Sequence, residues 1–423
     1  MEATATEGLR RLIEKGVCVS KPESVEIGDD VDPERISGEG VVIHPGCRIS
    51  GSGTLIMSGT VLGSEAPVTV KDCRLGKNVR LEGGFFAGSC FLDGARVGSG
   101  AQVREACLME EEARCAHTVG LKHTILFPYV TLGSLINFCD CLMAGGTDPK
   151  NHSEVGSSYI HFNYTPQQDK ATPSRFGDVP RGVMLNQPPV FLGGQGGVVG
   201  PVRVEYGVVA AAGTIVRKDL LKGGMMLLGH RSFERSMPFR PGLYTQIKRL
   251  VERNTEYIGH LKALRLWYVH VRSRIAGEDP MRKALVSGAM ECLTRAVGER
   301  IKRLGELAER MPRSMALQEE ASPGKPPGKI IRQSREFHEQ WSRLEKALRA
   351  PFEEDEETRR RREAFIGFLD RALESRGRDY LGVVKALDAR EAEAGSRWLQ
   401  SVVDGTVRLV GTVLPGFETG KGL

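Results

Sequence analysis

VGSGAQVREACLMEEEARCAHTVGLK, residues 97–122, repeats a buried-type side chain every sixth position: Val97, Val103, Met109, Cys115 and Leu121. Six matches neither the 3.6-residue period of a helix nor the two-residue alternation of a long strand. It fits a short strand of about four residues followed by a two-residue corner; three such units close a triangular coil, and stacked coils make a parallel β-helix. The periodic side chain then points into the prism, and glycine accepts the corner dihedrals that a Cβ would strain. Outward from this stretch the same spacing recurs at Ile43, Ile49, Leu55 and Val61, and at Leu75, Leu81 and Ala87. It continues at Leu132, Phe138 and Ala144, and at Val190, Gly196, Val202, Val208 and Thr214. A glycine follows the aliphatic residue at Ile27-Gly28, Leu75-Gly76, Val97-Gly98, Leu132-Gly133 and Val155-Gly156. The long alternating strands of a Gly-rich antiparallel sandwich are missing. The repeat breaks at Asp140–Glu154 and at Asn163–Pro189, two expected loops on a rigid scaffold, where function tends to concentrate.

Glycine divides the chain. Residues 1–240 hold 34 glycines and residues 243–400 hold 11, so the first part reads as turn-rich and the second as helical. Leu243, Ile247, Leu250, Val251, Ile258, Leu261 and Leu264 follow 3–4 spacing and predict a long amphipathic helix. Further helices are expected at Pro280–Arg310, Ile330–Arg349, Glu356–Ser375 and Tyr380–Val403, a linker at Ser322–Lys329 (SPGKPPGK), and a frayed tail after Val413. The expected domains are a β-helix over 1–240 and a helical domain over 241–423. The helices have three possible roles: capping the β-helix, covering its open edge, or binding another protein.

The 423 residues carry 59 Lys+Arg against 53 Asp+Glu, interleaved, with no concentrated basic face of the kind nucleic acid requires. Glu353–Glu357 followed by Arg359–Arg362 reads as a solvated helix whose charges suit its dipole. No apolar run approaches a membrane span, and Met1–Lys15 lacks a signal-peptide core, so the chain is read as cytoplasmic. Nine scattered cysteines make no disulfide framework and are expected to be reduced. Cys139-Asp140-Cys141 has no second Cys/His pair at ligand spacing, so no metal is expected. Gly193–Gly200 (GGQGGVVG) fails the dinucleotide spacing, and no phosphate-binding P-loop occurs.

Segments 97–164 and 190–219 resemble the left-handed β-helix acetyltransferase domain of the bacterial bifunctional N-acetylglucosamine-1-phosphate uridyltransferase/glucosamine-1-phosphate acetyltransferase. The nearest stretch is Val190–Asp219, VFLGGQGGVVGPVRVEYGVVAAAGTIVRKD, which matches the family's final coils. The resemblance covers residues 10–220 and implies the fold class: a left-handed parallel β-helix of hexapeptide repeats, followed here by a C-terminal α-helical domain. It also implies a homotrimer with active sites between neighbouring prisms. Arg104 (in AQVREA) and Lys122 (in VGLKHT) fall on the family's two phosphate-binding bases, Asn163 and Tyr164 (in HFNYT) on its sugar-contacting pair, and Lys170 on the loop lysine after that pair, with a one-residue insertion. Ser157, Gly194 and Ala212 fall on positions lining the acetyl-CoA groove. The chain departs from the family in three respects. Ser134 stands where the family has its catalytic histidine, Asn137 stands where it has a sugar-binding tyrosine, and the loop at 145–154 is longer. With no Gly-rich nucleotide loop ahead of the first coils, the uridyltransferase domain and its activity are expected to be absent.

Amide formation from a thioester needs a neutral amine, a base for its proton, a donor for the oxyanion and a groove for the coenzyme. Two cations suit a phosphorylated acceptor. With the family's histidine missing, His152 and His161 are the candidate bases, since histidine titrates near neutrality. The expected activity is N-acyl transfer from acetyl-CoA or another acyl-CoA to an amino-sugar phosphate or nucleotide sugar. The alternative is a non-catalytic β-helix scaffold that has lost the base.

Overall fold

The computed structural model describes residues 7–229, 236, 238–321 and 326–417. Strands of two to four residues form, among the described residues, three large parallel sheets of 11, 10 and 8 strands. Face A runs from Cys18–Val19 to Met226–Leu227, face B from Glu26–Ile27 to Ile215–Val216, and face C from Leu55–Ile56 to Arg203–Val204. The chain visits the faces in turn, so each strand pairs with the strand one coil later: Val97 with Cys115, Val103 with Leu121, Met109 with Leu126. This is the expected parallel β-helix, and the quoted hexads fill its interior as a buried column.

Elsewhere the inward spacing is uneven. Leu62 and Phe86 point inward where Val61 and Ala87 were expected, because the inward residues Ile49 and Ile56 are seven apart and Leu81, Phe86 and Phe91 five apart. In the last coils the inward strand residues are Leu192, Val198, Val204, Ala210 and Val216. Val190, Val202, Val208 and Thr214, two positions earlier, form a second buried column, and Gly196 is half-buried. The glycines that follow the aliphatic residue do not serve corner dihedrals. A Cβ on Gly156 would lie 2.4 Å from the Gly194 nitrogen, and one on Gly133 would lie 2.8 Å from the Ser157 nitrogen, so glycine there permits coils to touch. The positive-φ corners are shared between other glycines, such as Gly59, Gly94, Gly100 and Gly213, and non-glycine residues, including His123 and Asp140.

Both expected loops contain a strand of face C, Cys141–Met143 and Ser174–Phe176. What leaves the coils is a hairpin, Gly146–Asp148 paired with Asn151–His152, and the stretch 163–173.

The helices are α1 Glu7–Glu14, α2 Val179–Gly182, α3 Ile247–Trp267, α4 Ser273–Ala276, α5 Pro280–Glu309 and α6 Met311–Glu320. After these come α7 Lys329–Glu339, α8 Trp341–Arg349, α9 Glu356–Arg376, α10 Tyr380–Lys385 and α11 Ala389–Val413. Two expected helices are each split: Ile330–Arg349 at Gln340, and Tyr380–Val403 before Asp388, whose capping box starts α11. The expectation did not include α6. Of the expected linker, 322–325 lie outside the described residues and Lys329 already begins α7. The tail is not frayed through Phe417, since Leu414 and Phe417 are buried; 418–423 lie outside the described residues.

Faces A and B alternate an exposed residue with a buried one, as at Arg80-Leu81, Arg96-Val97 and Arg114-Cys115. Face C buries both, as at Leu55-Ile56, Cys90-Phe91, Leu108-Met109 and Ile125-Leu126. A parallel strand buried on both sides needs a covering layer. Here α3 and α5 supply it, running antiparallel along face C, and one apolar core continues from the prism into Leu264, Trp267, Leu293 and Trp398. Polar rungs cross the same interface. Arg74 pairs with Glu291 at 2.7 Å, Asp140 with Arg300 at 2.6 Å, Arg175 with Glu256 at 2.8 Å and Asp219 with Arg253 at 2.7 Å. After α3 the chain widens into one π-helical turn, Tyr268–Arg272, which aims both terminal residues at the prism. Tyr268 donates to Glu110 at 2.5 Å and Arg272 donates to Glu111 at 2.9 Å.

Candidate active site

Each coil has three edges, and the sequence candidates divide among them. At the edge between faces B and C, parallel register stacks equivalent positions: Val103 beside Leu121, Leu121 beside Phe138, Lys122 beside Cys139. Arg104 and Lys122 therefore leave face B one coil apart, followed by the corner residues His123 and Asp140. Arg104 is exposed, with its guanidinium 5.7 Å from the Phe85 ring centre. Lys122 pairs with Glu105 at 3.0 Å, and that hydrogen bond lowers the Glu105 carboxyl.

Asp140 is the anchor of this edge. It is buried, Arg300 of α5 reaches it at 2.6 Å, and Asn163 donates to it at 3.0 Å. Burial raises its carboxyl, but Arg300, His123 and Asn163 outweigh burial and hold it well below the usual carboxylate range. His123 Nδ1 lies 3.4 Å from its Oδ1, with the imidazole 11% exposed. Tyr164 is exposed, and the Lys170 ammonium lies 6.0 Å from its ring centre. The helical layer holds this loop in place. Arg300 donates to the Lys170 carbonyl at 3.0 Å, Arg310 to those of Gln167 and Gln168, and Tyr244 to Asp169 at 3.0 Å. Arg104, Lys122, Asn163, Tyr164 and Lys170 thus share one edge.

The two expected bases do not join them. His161 is inside the prism. Its Nδ1 is 2.6 Å from the Cys139 carbonyl, to which it donates, and its Nε2 is 2.8 Å from the Ser174 hydroxyl. Burial pushes its pKa down to about 4, so the ring is neutral and both nitrogens are engaged. His152 belongs to the hairpin at the edge between faces C and A, with Nδ1 3.0 Å from the Pro149 carbonyl and Nε2 3.7 Å from Glu154. Ser157, Gly194 and Ala212 stack at the third edge, between A and B, where coils meet through glycine and the Ser134 N–H donates to the Ser157 hydroxyl at 3.2 Å. Asn137 points outward from face B, beside Ile160. The phosphate- and sugar-type candidates, His152 and the coenzyme-type candidates therefore occupy three different edges of one chain, and His161 occupies none.

The imidazole that does stand beside the cations is His123, which immediately follows Lys122 in sequence. A histidine whose Nδ1–H faces a fixed carboxylate keeps Nε2 as its proton acceptor, the arrangement of a general base. In the sequence Asp140 stands out only within Cys139-Asp140-Cys141 and at the start of the break at Asp140–Glu154, and Arg300 only as part of the helix at Pro280–Arg310. Burial raises the Cys139 thiol to about 11 and the Cys141 thiol well above the usual range. Among the described residues no cluster of three metal-ligating side chains occurs, and no helix is long and apolar enough to cross a membrane.

No family model matches the chain. It is similar to curated proteins named Bifunctional protein GlmU. The one from Kineococcus radiotolerans is 26% identical over 219 residues, 52% of this chain and 40% of that protein. Those from Pelobacter propionicus and Nitratidesulfovibrio vulgaris are 28% and 27% identical, covering 53% and 54% of this chain and 45% of each relative. The chain thus spans less than half the length of these relatives.

Proposed function

We propose that the chain is an acyl-CoA-dependent N-acyltransferase whose acceptor is an amino-sugar phosphate or nucleotide sugar. The observation that carries this reading is the gathering of Arg104, Lys122, Asn163, Tyr164 and Lys170 at one edge. The two cations take the phosphate, and the amide, phenol and loop lysine take the sugar. His123, oriented by Asp140, is the base. The acceptor amine attacks the thioester carbonyl, His123 Nε2 takes the amine proton as the N–C bond forms, and the tetrahedral oxyanion collapses with loss of the C–S bond. The proton then passes from His123 to the departing thiolate. Acetyl-CoA or a longer acyl-CoA lies along Ser157, Gly194 and Ala212, where small side chains leave backbone N–H groups open to it.

Acceptor and coenzyme groups on different edges of one prism meet when copies associate, so the active form is a homotrimer. Ile160, Phe162, Phe191 and Ile215, exposed apolar residues of faces A and B, and Leu135 at the corner between them support this. Sedimentation is expected to give a trimer; a monomer at all concentrations would leave no complete site. The first assay is calorimetry with acetyl-CoA, followed by thiol release with amino-sugar phosphates. One binding site per chain and acceptor-dependent release are expected. Absence of heat with both acetyl-CoA and longer acyl-CoAs would favour the second reading, a non-catalytic scaffold. Ser134 in the family's histidine position and the neutralisation of Lys122 by Glu105 are the observations on that side.

A further inference from the structure

Arg300 is an odd residue for its place on α5. The buried residues around it, Leu293, Ala296 and Leu304, recur at 3–4 spacing, so its side chain takes a core position on the helix that covers face C. It is 1% exposed, and a guanidinium buried that deeply is costly unless it is paired and its donors are used. Nη2 donates to Asp140 Oδ1 at 2.6 Å, and Nη1 donates to the Lys170 carbonyl at 3.0 Å. Among the described residues Asp140 is its only ionic partner. One planar fork thus grips two parts of the acceptor edge at once: the carboxylate that faces His123 and the loop that carries Lys170.

The same pairing decides what the imidazole meets. His123 Nδ1 lies 3.4 Å from the Asp140 Oδ1 that Arg300 holds, and Asn163 donates to Oδ2 at 3.0 Å. The other charged groups about the ring are Glu105 of the preceding coil and Lys122, which pair with each other at 3.0 Å. A buried carboxylate without a cation, at that distance, favours the imidazolium by the attraction of opposite charges. Here Arg300 balances Asp140 and Lys122 balances Glu105, so a protonated ring would put one positive charge in excess at a buried edge. A base for an amine proton must be free to accept at the working pH. Resting on the reading of His123 as that base, we infer that Arg300 is a positioning residue of the transfer. Through Asp140 it keeps the imidazole available as a proton acceptor, and through the Lys170 carbonyl it sets the acceptor loop beside that imidazole. The helical layer then works in the site as well as covering face C.

The test compares full-length Arg300→Gln and Arg300→Lys with the parent protein. Gln keeps a donor without the charge; Lys keeps the charge as a point that cannot span both partners. The first readout needs no substrate: the pH midpoint of the His123 ring signal in protein made with isotope-labelled histidine, assigned by its loss in His123→Ala. Arg300→Gln is expected to move that midpoint to higher pH by about 1–2 units, and Arg300→Lys by less than about half a unit. The second readout is thiol release from acetyl-CoA with an amino-sugar phosphate. Arg300→Gln is expected to carry the acid limb of kcat/KM upward with the midpoint. Arg300→Lys is expected to keep the limb and to raise the acceptor KM about tenfold, because the Lys170 carbonyl loses its donor. A merely structural role would lower the folded fraction and move neither midpoint nor limb. An unmoved midpoint in folded Arg300→Gln overturns the inference whatever the activity. If Arg300→Gln does not fold, an unchanged acceptor KM in Arg300→Lys overturns it. A parent protein that releases no thiol with any acceptor, even where the midpoint moves, would overturn the transferase reading and with it this role of Arg300.

Discussion

At the scale of residues, the B–C edge turns on one imidazole. Replacing His123 with Ala is expected to lower turnover about 10²–10⁴-fold, the usual range for a positioned general base. Acetyl-CoA affinity by calorimetry should be unchanged. His152→Ala, on the far edge, should leave the rate within a factor of about two. His161→Ala is expected to act on stability instead. It opens a cavity and strips partners from the Cys139 carbonyl and the Ser174 hydroxyl, at a cost of about 2–4 kcal/mol read from denaturant unfolding. The resemblance, not the spacing, points to Arg104, Lys122, Asn163, Tyr164 and Lys170; coil register accounts for Arg104 and Lys122 alone, because 163–173 leaves the coils. The base was legible in neither. His123 is adjacent to Lys122 in plain view, but its carboxylate comes from the next coil and that carboxylate's own partner, Arg300, comes from 160 positions further along the chain. His161 was misread because an inward and an outward position differ by a single residue in a strand this short.

At the scale of elements, α5 is both a lid on face C and a brace for the loop at 163–173. Arg300→Met removes the cation from a buried carboxylate and a donor from the Lys170 carbonyl. The expected loss is about 3–5 kcal/mol, with hydrogen exchange accelerating first in residues 163–173. Unchanged protection there would show that α5 does not hold the loop. The covering layer was visible in the sequence as paired apolar residues, Leu55-Ile56, Leu108-Met109 and Ile125-Leu126, against the arginine-aliphatic pairs of face A. Periodicity by six hid that signal, because it follows one position per strand and ignores its neighbour. The expected helices leave out α6, whose start after Arg310 places Pro312 in a first helical turn, where proline is tolerated.

At the scale of the whole molecule, the interface ions give stability a pH optimum. Asp140 and Glu256 have depressed carboxyls, so their contribution is present above the unfolded values of 3.8 and 4.5 and is lost as the pH falls, for Glu256 toward about 2. Glu110 is the reverse. Burial raises it to about 7 against the pull of Arg272, so its contribution is present below 4.5 and lost as the pH rises through 7. The melting temperature is expected to peak near pH 4.5, where the Asp140 and Glu256 contributions are nearly complete and the loss from Glu110 begins, and Glu110→Gln should flatten the alkaline limb; an alkaline limb unchanged by that substitution would assign it to another group.

Repeat proteins commonly grow or shrink by whole units, since each unit touches only its neighbours. The layer of α3 and α5 removes that freedom. One coil advances about 4.8 Å, which is about three residues of helix and not a full turn. A duplicated coil would carry every later rung past its partner and rotate the helix face away from it. The helices therefore act as a gauge that fixes how many coils this prism can have.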